Sequence, residues 1–223
     1  MSNLPALRQF TLCAVLAGAA SAALAQPATH TSLNAQLLVA ARQADSAAVA
    51  RAFDRGAAPN SRNRLGKTVL MIAAEKGDTA LASAALKAGT DPNLASLDRV
   101  TPLMAASFGG HRDLVQALLA ANARTDALDR MRKPAIVYAA GQGHAAVVGL
   151  LLDQGVPVDA AYEHQLTALM WAAGAGSDAT TRLLLARGAR TDQRDDRGLT
   201  AAEMARQAGH LPVAALLAQP DQR

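Results

Sequence analysis

The apolar positions of this chain recur in a fixed frame. One pattern returns every 33 residues, anchored at Ala35, Thr68, Thr101, Pro134, Thr167 and Thr200. Two residues after each anchor stands Leu37, Leu70, Leu103, Ile136, Leu169 or Ala202. Five residues after it stands an alanine: Ala40, Ala73, Ala106, Ala139, Ala172 or Ala205. Nine residues on comes Ala44, Gly77, Gly110, Gly143, Gly176 or Gly209. That position suits a residue tolerant of left-handed backbone, so a short first helix is predicted to stop there.

A second apolar set follows in each unit. Leu114, Val115, Leu118 and Leu119 return as Val147, Val148, Leu151 and Leu152, and this i, i+1, i+4, i+5 spacing lies on one face of a helix. The second helix ends at Gly56, Gly89, Asn122, Gly155 and Gly188. Each unit therefore reads as helix, turn, helix, loop, with units at about 33–63, 64–96, 97–129, 130–162, 163–195 and 196–219. One such unit cannot bury its own apolar face and must stack on its neighbours. Terminal units then need a polar outer side. Arg42, Gln43 and Asp45 supply it in the first unit, and Gln219, Pro220, Asp221, Gln222 and Arg223 follow the last.

The string Thr101-Pro102-Leu103-Met104 with Ala106, then Gly110-His111, Leu118-Leu119 and Asn122-Ala123, resembles the ankyrin repeat. The resemblance covers about residues 33 to 219. It implies an all-α solenoid of about six stacked 33-residue helix-turn-helix units, with a hairpin-like finger projecting from one side of each and a concave face along the stack. The histidine that the family places in its Thr-Pro-Leu-His motif is replaced by Met71, Met104, Val137, Met170 and Glu203. The hydrogen bonds of that histidine are expected to be absent, leaving local stability to packing.

Composition agrees with thin, repeated layers. Apolar residues make up 51% of the chain but aromatic ones only 3%, which argues against one thick core built on large rings. The N-terminus stands apart. Arg8 precedes an apolar stretch from Phe10 to Ala25 that closes on Ala23-Leu24-Ala25, the pattern of a secretory signal peptide with Gln26 as the first mature residue. An uncleaved anchor is the alternative, although the run falls short of the ~20 residues that a span requires. Residues 26–32 are expected to be a disordered lead, 33–219 the repeat domain and 220–223 a tail. Cleavage would remove Cys13, the one cysteine, leaving no disulfide and no thiol nucleophile in the compartment where disulfides form. That compartment is expected to be the periplasm, or the exterior if the protein is secreted. Without Arg8 the chain holds 21 bases and 18 acids, a net charge of +3 too diffuse to imply nucleic acid as a partner.

Several strings imitate catalytic signatures. Gly66-Lys67-Thr68 ends like a phosphate-binding loop, but Ser61 stands where that motif needs its first glycine. Gly174-Ala175-Gly176-Ser177-Asp178-Ala179 fits a dinucleotide fingerprint by letters, yet it follows a helix rather than a strand. His111, His144 and His210 occupy equivalent places on different units. Packed helices lie roughly 8 to 10 Å apart, so these rings cannot share a zinc ion whose ligands sit about 2 Å from it. A hydrogen-bonding role at the helix start is expected for them instead. No triad spacing or nucleophile elbow is present. The expectation is a non-enzymatic, monomeric module with no cofactor and no metal.

Positions that the repeat does not require are the ones left for recognition. In the ankyrin family these are the finger tips and the exposed side of each first helix. Carried over residue by residue, the resemblance selects Arg62, Arg64 and Lys67; Leu97, Asp98 and Phe108; Arg130, Met131 and Gln142; Glu163 and His164; and Asp196 and Arg197. Downstream of the signal there are five aromatic residues, Phe53, Phe108, Tyr138, Tyr162 and Trp171. Tyr138 and Trp171 are 33 residues apart, hence on successive first helices, with Phe108 on the unit before. Two roles stand open for Tyr138 and Trp171: rings that anchor a partner, or bulk that fills space held elsewhere by Ile72, Ala105 and Met204. His164 lies in a finger, either touching a partner or simply exposed. Alternating finger charges form a mixed rim that would orient a protein partner. A protein-binding module is therefore the leading expectation, ahead of a groove enzyme, a ligand-binding protein or a structural envelope component.

Overall fold

The structure, a computed structural model, describes residues 32–218. The expected signal peptide, residues 26–31 of the lead, and residues 219–223 lie outside the described residues. Among the described residues are twelve α-helices: α1 Leu33–Arg42, α2 Ser46–Asp54, α3 Val69–Lys76, α4 Thr79–Lys87, α5 Pro102–Phe108, α6 Arg112–Ala120, α7 Ala135–Gly141, α8 Ala145–Asp153, α9 Ala168–Gly174, α10 Asp178–Ala186, α11 Ala201–Gln207 and α12 Leu211–Leu217. No strand is present among them beyond an isolated bridge between Ala161 and Thr167.

Odd-numbered helices pack on one another in sequence as one layer, from α1 against α3 to α9 against α11. Even-numbered helices do the same in a second layer, and each odd helix also packs on the even helix that follows it. Helices of seven to ten residues are too short to stand alone, so packing must hold them. The inner first helices α3, α5, α7 and α9 supply that packing, with most of their residues buried. Val69 to Ala74 are all buried in α3, and Ala106, Ala139, Ala140, Ala172 and Ala173 are fully covered in the following units. Alanine at these positions lets helices approach closely without leaving voids.

The frame alanines have a second task. The carbonyls of Ala40, Ala73, Ala106, Ala139, Ala172 and Ala205 each accept the N–H of the residue five positions on, at 2.8 to 3.0 Å. This is the bond that closes a helix around a left-handed residue. The intervening Ala44, Gly77, Gly110, Gly143, Gly176 and Gly209 all have φ between 58° and 82°. At the ends of the second helices Gly56, Gly89, Asn122, Gly155 and Gly188 are likewise left-handed. The stop positions read from the sequence are thus the stop positions of the fold.

Thr68, Thr101, Thr167 and Thr200 cap their helices, each hydroxyl accepting the N–H three residues on at 3.2 to 3.3 Å. The first unit departs from the frame. Ala35 has no acceptor, and Ser32, three residues earlier, caps α1 instead, which lengthens that helix to 10 residues.

Two expectations need correction. The reciprocal half of the cap, expected to be lost with the motif histidine, is taken over by three of its five replacements, whereas Met71 and Val137 leave it lost as expected. Met104 Sδ accepts from the Thr101 N–H at 3.4 Å, Met170 Sδ from the Thr167 N–H at 3.5 Å, and Glu203 Oε2 from the Thr200 N–H at 2.7 Å. The second correction concerns the histidines at the starts of α6, α8 and α12, which make no side-chain cap bond. Their rings lie instead on the inter-helix turn of the preceding unit. A Cβ added to Gly77 would come within 2.5 Å of the His111 ring, one at Gly110 within 2.5 Å of His144, and one at Gly176 within 2.5 Å of His210. His144 Nε2 also lies 3.0 Å from the Phe108 carbonyl, which can accept its hydrogen. These residues join units rather than start helices. The two imitated motifs dissolve in the same way: Lys67 pairs with Glu75 at 2.6 Å beside the Thr68 cap, and Gly174 to Ala179 form the turn from α9 into α10.

Among the described residues no helix is long and apolar enough to cross a membrane.

Candidate partner-binding groove

Between successive helix pairs the chain makes a two-armed finger. Each is closed by one backbone bond spanning four residues, from Asn63, Ser96, Asp129, Tyr162 and Asp195 N–H to the carbonyls of Lys67, Val100, Lys133, Leu166 and Leu199. In three fingers the first residue also folds the tip through its side chain. Asn63 Oδ1 accepts the N–H groups of Leu65 and Lys67, Asp129 Oδ1 those of Met131 and Lys133, and Asp195 Oδ1 those of Arg197 and Leu199. Tyr162 has no such acceptor near the backbone. Its finger turns through Glu163–Gln165 with His164 and Gln165 both left-handed, at φ 59° and 56°.

The fingers are stitched to one another. Leu97 N–H donates to the Leu65 carbonyl at 3.0 Å, Arg130 N–H to Asp98 at 3.3 Å and Asp196 N–H to His164 at 3.1 Å. Ion pairs run alongside, Arg130 with Asp98 at 3.5 Å and Arg132 with Glu163 at 3.0 Å, and the His164 ring nitrogen Nδ1 lies 3.3 Å from Asp196 Oδ2. The mixed rim read from the sequence is therefore largely paired within the protein, and such exposed pairs contribute about 0 to 1 kcal/mol each.

Beside the fingers the first helices carry the aromatic rings. Phe108, at the end of α5, is 53% exposed and meets Tyr138 of α7 edge to face, with centroids 6.1 Å apart and planes at 79°. Trp171 of α9 is half-buried, and the Lys133 ammonium lies 4.4 Å from its ring centroid, a cation-π contact. The Tyr138 hydroxyl donates to Asp129 Oδ2. Burial, and then the hydrogen bond and charge of Asp129, push the Tyr138 phenol far above its ordinary value. Burial alone raises Tyr162. At Asp195 burial opposes charge, but the Leu199 N–H, the Arg197 guanidinium and the Arg197 N–H hold the carboxyl below its usual range.

These side chains enclose a groove of about 610 Å³. Phe108, Tyr138 and Trp171 stand in it with Val137, Met170 and Met204, and its polar margin is Lys133, Gln142, Arg197 and Gln207. A crevice of about 440 Å³ opens beside it between the fingers, lined by Arg130, Met131, Arg132, Tyr162, Glu163 and His164, and sharing Lys133, Val137, Leu166 and Trp171 with the groove. On the other side of Phe108 a hollow of about 360 Å³ reaches Glu75 and Met104. Phe108 is a rib between two depressions.

Of the sequence-selected residues, Phe108, Tyr138, Gln142, Trp171 and Arg197 meet at the groove, and Arg130, Met131, Glu163, His164 and Trp171 at the crevice. Asp196 is held beside the crevice by His164. Asp98 reaches the crevice only through its pairing with Arg130, and Arg62, Arg64 and Leu97 stand apart on earlier fingers, where Arg62 is engaged with the carbonyls of Gly66 and Ala95. The question left open for Tyr138 and Trp171 has a double answer, since both pack on the core and both line the groove. Lys133 escaped the selection although it occupies the place of Lys67 two units later, which was selected. Among the described residues no cluster of three or more His, Cys, Asp or Glu side chains could hold a metal ion.

No curated protein matches the chain. A family model described as ankyrin repeats, in three copies, matches residues 37–129, 70–162 and 136–223. Those matches cover most of the sequence and coincide with the helix pairs and fingers described above, so the chain belongs to the ankyrin-repeat family.

Proposed function

We propose that this protein is an exported, non-enzymatic interaction module that binds a partner protein on the side formed by the fingers and first helices, with Trp171, Tyr138 and Phe108 at the centre of the contact. Ankyrin repeats generally mediate protein-protein interaction. The observation that carries this reading is the placement of the rings. Phe108 stands 53% exposed at the end of its first helix, edge to face with Tyr138, and both rings line one groove with Trp171. Aromatic residues beside cations dominate interface energetics, often at about 2 kcal/mol or more each. The stacked scaffold holds them in place before binding, which reduces the ordering cost of association.

Export rests on the N-terminal pattern, and the site of action is then the periplasm or the exterior. Fractionation of the source cells with determination of the mature N-terminus tests it, Gln26 being the expected first residue. The binding face is tested by quantitative capture from the same fraction with wild type and with Trp171→Ala plus Phe108→Ala. Loss of one specific partner in the variant supports the reading, and equal capture overturns the aromatic centre. A second reading has one observation in its favour: a groove of about 610 Å³ falls within the range of small-molecule sites. A turnover or ligand signal abolished by Trp171→Ala would favour it.

A further inference from the structure

Each loop and finger is latched to the next at recurring places, and one junction lacks the latches. Backbone bonds from Leu97, Arg130 and Asp196 N–H stitch the first finger to the second, the second to the third and the fourth to the fifth. Between the third and fourth the equivalent donor is Glu163, and among the described residues no backbone bond joins it to Met131. A second latch joins the loops that lead into the fingers. Asn60 Oδ1 accepts the Asp91 N–H at 2.9 Å, and Asn93 Oδ1 and Asp159 Oδ1 accept those of Arg124 and Arg190 at 2.8 Å. In that frame Asp126 is matched with Pro157, which has no N–H to give. Asp126 turns instead to Arg124 of its own loop, at 3.0 and 3.1 Å. The same three junctions carry one more bond each, from Thr90 Oγ1 to the Pro59 carbonyl, Asn93 Nδ2 to that of Asn122 and Gln193 Nε2 to that of Asp159.

Two polar contacts cross the unlatched junction. One is the exposed ion pair of Arg132 with Glu163, which holds weakly; the other is the Lys133 ammonium over Trp171. The space around them is open. On one side of the pair lies the crevice, which runs past Tyr162 into the aromatic groove through Lys133, Val137, Leu166 and Trp171. On the other side a hollow of about 350 Å³ lies between Leu128 and Arg132 of the third finger segment and Ala161 to Gln165 of the fourth. At the far end of the helices the contact is closed, with the His144 ring against Gly110 and within reach of the Phe108 carbonyl. In a stack where each unit touches only its neighbours, missing bonds concentrate motion at the junction that lacks them.

We propose that this junction is a joint: the first three fingers move as one set and the fourth and fifth as another, pivoting on the closed turn end, so that the crevice against Trp171 opens and closes. The joint goes beyond the binding function proposed above and does not require it.

The test places spin labels on equivalent exposed finger tips of the full chain carrying Cys13→Ser. Leu65→Cys with Met131→Cys lies inside the first set, and Asp98→Cys with His164→Cys spans the gap. Each pair is two fingers apart, about 20 Å, a distance that pulsed electron spin resonance resolves. The distance distribution across the gap should be at least twice as broad as that inside the set. Pro157→Ala gives Asp126 an N–H to accept and should narrow the gap distribution at least 1.5-fold, and adding Asp126→Ala should restore its breadth. Equal breadths in the two labelled pairs overturn the joint. A gap that Pro157→Ala does not narrow, or a narrowing that survives Asp126→Ala, overturns the missing latch as its cause. Should the labelled variants fail to fold, acrylamide quenching of Trp171, the single tryptophan, decides in the unlabelled protein. The quenching constant should fall at least 1.5-fold in Pro157→Ala and recover with Asp126→Ala; an unchanged constant overturns the proposal.

Discussion

The Tyr138 hydroxyl donates to the same Asp129 carboxylate that accepts the N–H groups of Met131 and Lys133. A first-helix ring thereby sets the tip of the finger that carries Lys133, and Lys133 in turn lies on Trp171 of the next unit. Removing the hydroxyl should loosen all three. Tyr138→Phe is expected to cost about 1.5 to 3 kcal/mol, the range for a hydrogen bond to a charged group, read as a lower urea midpoint. The pH dependence has a definite sign. The phenol is raised above its ordinary value near 10 by burial and then by Asp129, so the fold favours the protonated form. Its contribution is complete below pH about 10 and is lost as the pH rises beyond that. Urea midpoints of wild type should therefore fall more steeply above pH 10 than those of Tyr138→Phe; parallel alkaline limbs would contradict the assignment.

Gly110 and Gly56 separate two reasons for glycine. Both are left-handed, at φ 68° and 89°, but a Cβ at Gly110 would meet the His144 ring at 2.5 Å while one at Gly56 meets nothing within 4 Å. Gly56→Ala should cost about 1 to 2 kcal/mol from backbone conformation alone. Gly110→Ala is expected to cost roughly 1 kcal/mol more, because the ring between units must move. A double-mutant cycle with His144→Ala should recover most of that excess. Additive losses would mean that the ring does not clamp the turn.

Ser107 is a misfit in its layer. It is fully buried on α5, its hydroxyl has no hydrogen-bond partner, and alanine fills the corresponding places at Ala74, Ala140 and Ala173. Ser107→Ala should stabilise the protein by about 1 kcal/mol, since an unsatisfied buried hydroxyl is removed and helix propensity improves. The check is a higher urea midpoint at unchanged slope.

Gln165 takes φ 56° where the first and fifth fingers have Gly66 and Gly198. Gln165→Gly is expected to raise stability by about 0.5 kcal/mol, the relief of left-handed strain being offset in part by the greater freedom of the unfolded chain. Thermal denaturation of the pair would show it, and a loss of stability would mean that the glutamine side chain holds the fourth finger.

Much of the architecture was legible because it is local and repeated. A left-handed stop, a threonine cap and an apolar stripe each act within a few residues, and their recurrence every 33 residues makes stacking the one way to bury the stripe. The site was legible in part. Phe108, Tyr138 and Trp171 stood out as rare rings at matching positions, whereas Lys133 passed unnoticed because its value lies in which ring it covers. The same limit applied to Met104 and Met170, whose sulfur atoms became cap acceptors only once the helix start placed them over a backbone N–H.

The sequence by itself determined the period, the helix ends and the rings that the frame does not require, since these depend on backbone preference and side-chain type along one stretch of chain. Tertiary structure alone decided that His144 clamps a turn, that Tyr138 holds a finger, and that the gap beside Tyr162 runs into the Trp171 groove. Each of those is a meeting of side chains from different helices or units, where distance and direction are set by packing rather than by spacing in the chain.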